Sequence, residues 1–132
     1  MDAAIRELVR RRAGDHCEYC RLPQDYALFA AFHVEHIVPR QHGGDDGIYN
    51  LALACPRCNA FKGPNLAAVD PVTNRVVPLF HPRNDSWLDH FGWDGVTIIG
   101  RSPVGRATVR LLNMNADERR KAREELARRG EL

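Results

Sequence analysis

Apolar and polar positions along the chain alternate over short stretches that predict small elements. Near the start, apolar residues recur at helical spacing and a glycine follows a run of arginines. This pattern predicts an amphipathic helix that ends near Ala13. The segment ALFAAFHVEHIV, residues 27–38, predicts an extended strand that Pro39 ends. The run NLALAC, residues 50–55, predicts a second strand or the start of a helical turn.

The second half of the chain predicts further small elements separated by turn residues. The stretch AAVDPVTNRVVPLF predicts a turn followed by a short strand, and NDSWLDHF predicts one helical turn with Asn84 or Asp85 as N-cap. An Asp-Gly pair in FGWDGVTIIG predicts a β-hairpin. Two helices should follow, one capped by Ser102 and one with a capping-box spacing from Asn115 to Glu118.

Length and composition narrow the class of protein. A chain of 132 residues with 44% hydrophobic and 27% charged residues is typical of one soluble globular domain, here spanning 1–132. No apolar run is long enough to cross a membrane, and the first residues lack the apolar region and cleavage site of a signal peptide. These features predict a cytoplasmic protein without membrane contact. They do not determine its oligomeric state.

The basic residues are distributed unevenly, although the net charge is only +2. Two arginine-rich clusters stand near the ends of the chain: Arg6, Arg10, Arg11 and Arg12, then Arg119, Arg120, Lys121, Arg123, Arg128 and Arg129. Arginine suits bidentate phosphate contacts, so nucleic acid is one possible partner. From charge alone, solvated helix faces are the favoured interpretation.

All four cysteines lie in two Cys-x-x-Cys pairs, Cys17 with Cys20 and Cys55 with Cys58. Two such turns can place four thiolates around one tetrahedral zinc ion. Disulfides are disfavoured without an export signal, and a thioredoxin-like motif would use one pair within a βαβ unit. We therefore predict a structural zinc site, because four thiolates leave no open coordination position.

Between the cysteine pairs, the stretch FHVEHIVPRQHGG concentrates groups suited to hydrolysis. A carboxylate beside an imidazole, as in Glu35 and His36, can bind a hard cation and accept a proton from water. Asn59 follows the second cysteine pair and offers an amide oxygen, which suits Mg²⁺ or Mn²⁺. Two nearby basic residues are candidates for holding phosphate oxygens: Arg57 and Lys62.

These motifs together resemble the HNH endonucleases. The resemblance rests on Cys17-x-x-Cys20, Glu35-His36-Ile37-Val38-Pro39, Gly43-Gly44, Asn50-Leu51, Cys55-x-x-Cys58-Asn59 and Lys62. Order, residue types and spacing all agree across this region. Farther on, GPNL, LFHPRNDSWLDHF and GRATVRLL are similar to a group of small bacterial HNH proteins.

The resemblance implies a fold. It implies an α+β protein with a ββα-metal core (the His-Me finger), stapled by the four-cysteine zinc site. An N-terminal helix would precede this core, and a β-hairpin with helices would follow it. The motif core would span about 14–66 and the C-terminal extension about 67–132 of the single domain.

The resemblance also implies roles for individual residues. His36 matches the general base, Glu35 a metal ligand, Asn50 the residue that braces the loop holding the base, and Asn59 the second protein ligand. The implied reaction is metal-dependent hydrolysis of a phosphodiester bond in DNA, with Mg²⁺ or Mn²⁺ as the cation and Ni²⁺ as a further candidate. Aspartate is also frequent at the position of Glu35, and a glutamate reaches further.

Other interpretations remain open at this point. The main alternative is a non-catalytic zinc-knuckle module that binds nucleic acid, and a further one is an interaction domain in which zinc only staples the fold. His33 could contact the phosphate, support the site indirectly or lie on the surface. His42 is interpreted as a loop residue, and Trp87 and Trp93 as core.

Overall fold

Short elements of the chain pack as two separate units. The computed structural model describes residues 1–27 and 30–132. Each unit has its own buried residues. The first unit comprises Met1–Pro64 and His81–Asp85, and the second comprises Asn65–Phe80 and Ser86–Leu132.

Two antiparallel strands form the centre of the first unit. Strand β1 spans His33–His36 and pairs with β2, Leu51–Ala54, so that Glu35 faces Ala52 across the ladder. All four residues of β2 are buried, which explains their continuous apolar character. The structure therefore confirms the strand interpretation of NLALAC. The predicted first strand, residues 27–38, is wrong in its length, because only His33–His36 pair with β2 and the strand ends before Pro39. The part of that prediction at Leu28 and Phe29 lies outside the described residues.

Helix α1, Ala3–Arg12, precedes the strands and ends where the sequence predicts, with Ala13 as its C-cap. Asp2 caps its first turn. The guanidinium group of Arg12 donates to the carbonyl oxygens of Ile48 and Leu51 at 2.8 and 2.6 Å. One arginine of the basic N-terminal run therefore anchors the helix to the start of β2.

Helix α2, Pro56–Lys62, follows β2 directly. Its N-cap is Cys55, whose sulfur accepts from the backbone N–H of Cys58, and Pro56 occupies the first turn, where its missing N–H costs nothing. The helix ends at Lys62, with Gly63 as its C-cap directly before Pro64. The order of strand, strand and helix thus places the second cysteine pair at the start of α2.

The second unit consists of two hairpins and three helices. Its elements are β3 (Ala67–Val69), β4 (Val76–Pro78), α3 (Trp87–His90), β5 (Phe91–Asp94), β6 (Thr97–Gly100), α4 (Pro103–Leu111) and α5 (Asp117–Arg128). Phe91 packs against Phe80 and Trp87, with ring centroids 5.1 and 5.0 Å apart. Trp87 is buried in this cluster, as expected, whereas Trp93 stacks on it from a partly exposed position.

Four details of these elements differ from the sequence prediction. Strand β3 forms before the turn, although only the strand after the turn is predicted. Helix α3 has Ser86 as its N-cap, so neither Asn84 nor Asp85 takes that position. The β5–β6 turn is Gly95-Val96, because Asp94 pairs with Thr97. The N-cap of α5 is Ala116, since the side chain of Asn115 bonds both backbone groups of Ile98 instead.

The arginines of α5 hold the second unit together. Arg119 and Arg123 are buried and donate to the backbone carbonyls of Leu112 and Val96, respectively. Nearer the end of α5, Glu125 pairs with the two arginines of the last turn. Several arginines of the C-terminal basic cluster therefore bind acceptors within the second unit. The interpretation of this cluster as a solvated helix face is wrong for Arg119 and Arg123. No helix within the described ranges is long and apolar enough to cross a membrane.

Candidate metal centre and active site

The four cysteines converge in the first unit. Their sulfur atoms all lie within 4.8 Å of one another, and all four residues are buried. The sulfurs of Cys20 and Cys55 are 3.7 Å apart, close to the roughly 3.8 Å expected for two thiolates bonded to one tetrahedral zinc ion. None of the four forms a disulfide with another described residue. The arrangement suits zinc, and it is closed because four thiolates fill a tetrahedral site.

Backbone groups shape both cysteine turns. The N–H of Cys20 points at the sulfur of Cys17 at 3.5 Å, and the N–H of Cys58 points at that of Cys55 at 3.4 Å. Burial raises the pKa of the Cys17 and Cys58 thiols well above the usual range. A bound cation would offset this cost, because it favours the deprotonated form of its ligands.

A shallow depression of about 280 Å³ lies beside β1 and α2 in the first unit. Its walls combine imidazole, carboxylate, amide and guanidinium groups. The lining residues are His33, Val34, Glu35, His36, Pro39, Arg40, Asn59 and Gly63. Four residues that the sequence singled out, His33, Glu35, His36 and Asn59, therefore meet at one place although they span 27 positions of the chain.

Glu35 is held from two sides in the interior. The hydroxyl of Tyr19 donates to Oε1, and the ammonium group of Lys62 lies 3.3 Å from Oε2. Burial raises the pKa of Glu35, while Lys62 and Tyr19 oppose that rise. Burial also raises the pKa of Tyr19 well above its usual range, so its hydroxyl remains a donor. Glu35 is thus a fixed carboxylate at the edge of the depression.

His36 has a carboxylate partner that the motif did not predict. Its Nε2 atom lies 2.6 Å from Oδ1 of Asp46, and Arg40 donates to both oxygens of the same carboxylate at 2.8 and 3.0 Å. These two partners lower the pKa of Asp46, His36 having the larger effect. The carboxylate is therefore ionised at neutral pH and fixes one edge of the imidazole ring.

Asn50 braces the loop between His36 and β2. Its side chain accepts from the N–H of Val38 at 2.9 Å and donates to the carbonyls of Val38 and Asp45 at 3.0 and 2.8 Å. Gly44 fits beneath this brace because a Cβ there would lie 1.7 Å from the carbonyl oxygen of Val38. A buried amide with three such bonds fixes the path of the loop that carries Asp46.

The remaining predicted residues take different positions. Arg57 and His33 are exposed, and Arg57 does not line the depression. Lys62 is only 2% exposed, and its ammonium group also donates to the carbonyl of Ile37 at 3.0 Å. A phosphate oxygen would have to displace these contacts to reach Lys62. The structure therefore places Lys62 inside the unit, where the sequence predicts a cation available to phosphate.

Sequence reasoning missed Tyr19, Asp46 and Arg40. Tyr19 lies inside the first cysteine turn, where the cysteine spacing indicates a metal site but does not indicate a contact between the tyrosine and Glu35. The sequence contains the acidic pair Asp45-Asp46, but the residue pattern does not show which of the two carboxylates contacts His36. A tyrosine between two metal ligands and an acidic loop after the histidine are the signals that could have found these residues.

A comparison with models of protein families found a match within the first unit. Residues 17–64 match the family model described as HNH endonuclease, and this segment contains the four cysteines, Glu35, His36, Asn50 and Asn59. A search of curated proteins and a search of solved structures each found no match.

Proposed function

We propose that the protein is a metal-dependent endonuclease that hydrolyses phosphodiester bonds in DNA, since residues 17–64 match the family model described as HNH endonuclease. The observation that carries this proposal is the convergence of Glu35, His36 and Asn59 on one depression. A module that only binds nucleic acid does not require a carboxylate, an imidazole and an amide at one point. In this proposal β1, β2 and α2 form the ββα-metal core, and the four cysteines hold a structural zinc ion.

Glu35 and Asn59 would hold the catalytic cation. Both offer oxygen donors, which suit Mg²⁺ or Mn²⁺, whereas the cysteine set suits zinc. The environment of Glu35 fits this role, because Oε1 accepts from Tyr19 and Oε2 lies beside Lys62, and a carboxylate oxygen has two lone pairs. When bound, the cation stabilises the negative charge that develops on the phosphate during attack.

His36 would act as the general base. With Nε2 bonded to Asp46, Nδ1 is the nitrogen that accepts a proton from water. The water oxygen forms a bond to phosphorus while the bond from phosphorus to the 3′-oxygen breaks, and the proton of the attacking water moves to His36. Asn50 would contribute indirectly by holding the loop on which Asp46 lies.

We propose that Arg57 and His33 contact the substrate. Arg57 on α2 and His33 at the edge of the depression are exposed, so they can reach a phosphate while the contact between Glu35 and Lys62 stays in place. Lys62 is better suited to balancing the buried charge of Glu35. This assignment separates cations that meet DNA from the one that stabilises the site.

A cleavage assay tests the proposal against the main alternative. Purified zinc-loaded protein is incubated with supercoiled plasmid, with or without added Mg²⁺ or Mn²⁺, and in parallel with single-stranded RNA. We expect nicked or linear plasmid only when the divalent cation is present. Retarded migration of uncut plasmid under every condition would instead favour a zinc-knuckle module that binds nucleic acid. Cleavage of RNA but not plasmid would contradict the proposed substrate.

A further inference from the structure

Tyr19 connects the four-cysteine site to the proposed cation site. It lies between Cys17 and Cys20, is completely buried, and donates its hydroxyl hydrogen to Oε1 of Glu35. We infer that Tyr19 is a positioning residue through which the zinc-bound turn sets the orientation of the Glu35 carboxylate. This inference rests on the proposed function, since it concerns the affinity of the cation that Glu35 would bind.

The turn that carries Tyr19 is docked firmly on β2. The backbone N–H of Glu18 donates to the carbonyl of Leu53, and the N–H of Leu53 donates to the carboxylate of Glu18, both at 2.8 Å. Arg83 pairs with the same carboxylate. Because β2 is itself paired with β1 at Ala52 and Glu35, the tyrosine and its acceptor share one framework.

Two contacts fix the Glu35 carboxylate, and they have different origins. Lys62 approaches Oε2 from α2 at 3.3 Å, while Tyr19 reaches Oε1 from the cysteine turn. Loss of the tyrosine hydroxyl would leave Oε1 without this donor and would remove one of the two contacts that orient the carboxylate. Hydrogen-bond partners of metal ligands contribute about 10-fold to 100-fold to metal affinity.

The position of Tyr19 depends in turn on the cysteines. Cys17, two residues before Tyr19, and Cys20, directly after it, contribute two of the four clustered sulfurs, so a bound metal would hold the tyrosine backbone from both sides. The four-cysteine site would therefore do more than stabilise the fold. It would also set the geometry of a carboxylate that binds a second, chemically different cation.

The test measures cation binding without DNA. The affinity of the zinc-loaded full chain for Mn²⁺ is determined by electron paramagnetic resonance of the free ion, and zinc content is measured for each sample. The variant Tyr19→Phe removes only the hydroxyl. Its matched control is Tyr49→Phe, because Tyr49 also donates to a carboxylate, that of Asp45, but is 63% exposed and lies outside the depression.

We expect Tyr19→Phe to retain one zinc ion and to bind Mn²⁺ about 10-fold to 100-fold more weakly than the wild type. Tyr49→Phe should bind Mn²⁺ like the wild type. A tyrosine that only fills the core would change stability and leave the Mn²⁺ affinity unaltered. Wild-type affinity in a zinc-loaded Tyr19→Phe protein would therefore overturn the inference.

The variant Glu35→Gln separates this inference from the proposed function. If Glu35→Gln weakens Mn²⁺ binding and Tyr19→Phe does not, only the role of Tyr19 fails. If Glu35→Gln binds Mn²⁺ like the wild type, the proposed cation site fails and the inference fails with it.

A second measurement uses the unmodified sequence in case Tyr19→Phe does not fold. The chain has three tyrosines, so fluorotyrosine labelling gives three fluorine resonances, which Tyr26→Phe and Tyr49→Phe assign by elimination. We expect the Tyr19 resonance to shift when Mg²⁺ is added, because its acceptor engages the cation. A Tyr19 resonance that is unchanged at saturating Mg²⁺ would contradict the inference.

Discussion

The carboxylate of Asp46 lies 2.6 Å from Nε2 of His36, across a loop of nine intervening residues. This contact fixes the ring and directs the other nitrogen, Nδ1, to the proposed reaction with water. Arg40 holds the same carboxylate at both oxygens. Asp46 is thus the partner that would give His36 a defined orientation.

Replacing Asp46 should therefore impair the proposed reaction without affecting the fold. In Asp46→Ala we expect slower plasmid cleavage, with a smaller loss than the roughly 100-fold to 10,000-fold that removal of a general base costs. Asp45→Asn is the control, because it removes a negative charge from the adjacent position without touching His36. Equal cleavage by Asp46→Ala and the wild type would show that the contact has no role in orienting the base.

The buried pair of Lys62 and Glu35 predicts an asymmetric effect on stability. Lys62→Met leaves Glu35 without its internal cation, and breaking a buried pair costs about 3–5 kcal/mol. The double variant Lys62→Met with Glu35→Gln removes both charges and should recover much of that loss. Urea unfolding of the wild type and both variants measures these differences in the free energy of unfolding. A Lys62→Met protein as stable as the wild type would contradict the assignment of Lys62 to charge balance.

Loss of one cysteine should abolish zinc binding and lower the melting temperature strongly. Cys55 contributes both a clustered sulfur and the N-cap of α2, so Cys55→Ser affects the metal and the helix start together. Zinc content and thermal unfolding measured by circular dichroism check the prediction. Adding zinc back should restore chelated wild-type protein but not the variant. A Cys55→Ser protein with full zinc content and unchanged melting would refute the four-cysteine site.

A buried ion pair in the second unit predicts a pH dependence of stability. Both oxygens of Asp70 accept from Arg106 at 2.9 Å, and this guanidinium group holds the pKa of Asp70 far below its usual range. The pKa of Asp70 is lower in the folded protein than its value of about 3.9 in the unfolded chain, so the ion pair stabilises the fold when the pH is above that value. This stabilisation is lost as the pH falls from about 3.9 towards the folded-state pKa.

The variant Asp70→Asn checks this dependence. It should melt at a lower temperature than the wild type at neutral pH, and the difference should shrink as the pH is lowered below about 4. Asp89→Asn makes the same chemical change at an exposed position of the same unit and should have little effect. Thermal unfolding across this pH range measures the difference. A constant difference at every pH would indicate that the charge of Asp70 is not the cause.

The sequence identified residues whose chemistry is local. Glu35 and His36 are adjacent, and the cysteines and Asn59 occur in short motifs, so residue type and spacing were enough to name them. The structure adds that His33, Glu35, His36 and Asn59 line one depression. The end of α1 and the presence of both strands of the first unit also followed from local patterns, although β1 is shorter than predicted.

Contacts between distant positions could not be predicted in the same way. The pairs Tyr19 with Glu35 and Asp46 with His36 depend on the path of the loops, which a residue pattern does not determine. Lys62 illustrates this difference, because a cation near a proposed phosphate site was expected at the surface, yet helix α2 turns it towards Glu35. The arginines of α5 were likewise interpreted from charge alone, although two of them are buried against backbone carbonyls.

The central claim is that His36 is the base of a metal-dependent hydrolysis, and cleavage of supercoiled plasmid by His36→Ala tests it most directly. The control is His42→Ala, since His42 is an exposed histidine in the following loop and does not line the depression. Zinc content and melting temperature establish that both variants are folded. We expect His36→Ala to retain zinc and lose cleavage in Mg²⁺ or Mn²⁺, while His42→Ala cleaves like the wild type. Cleavage by His36→Ala at the wild-type rate would contradict the account.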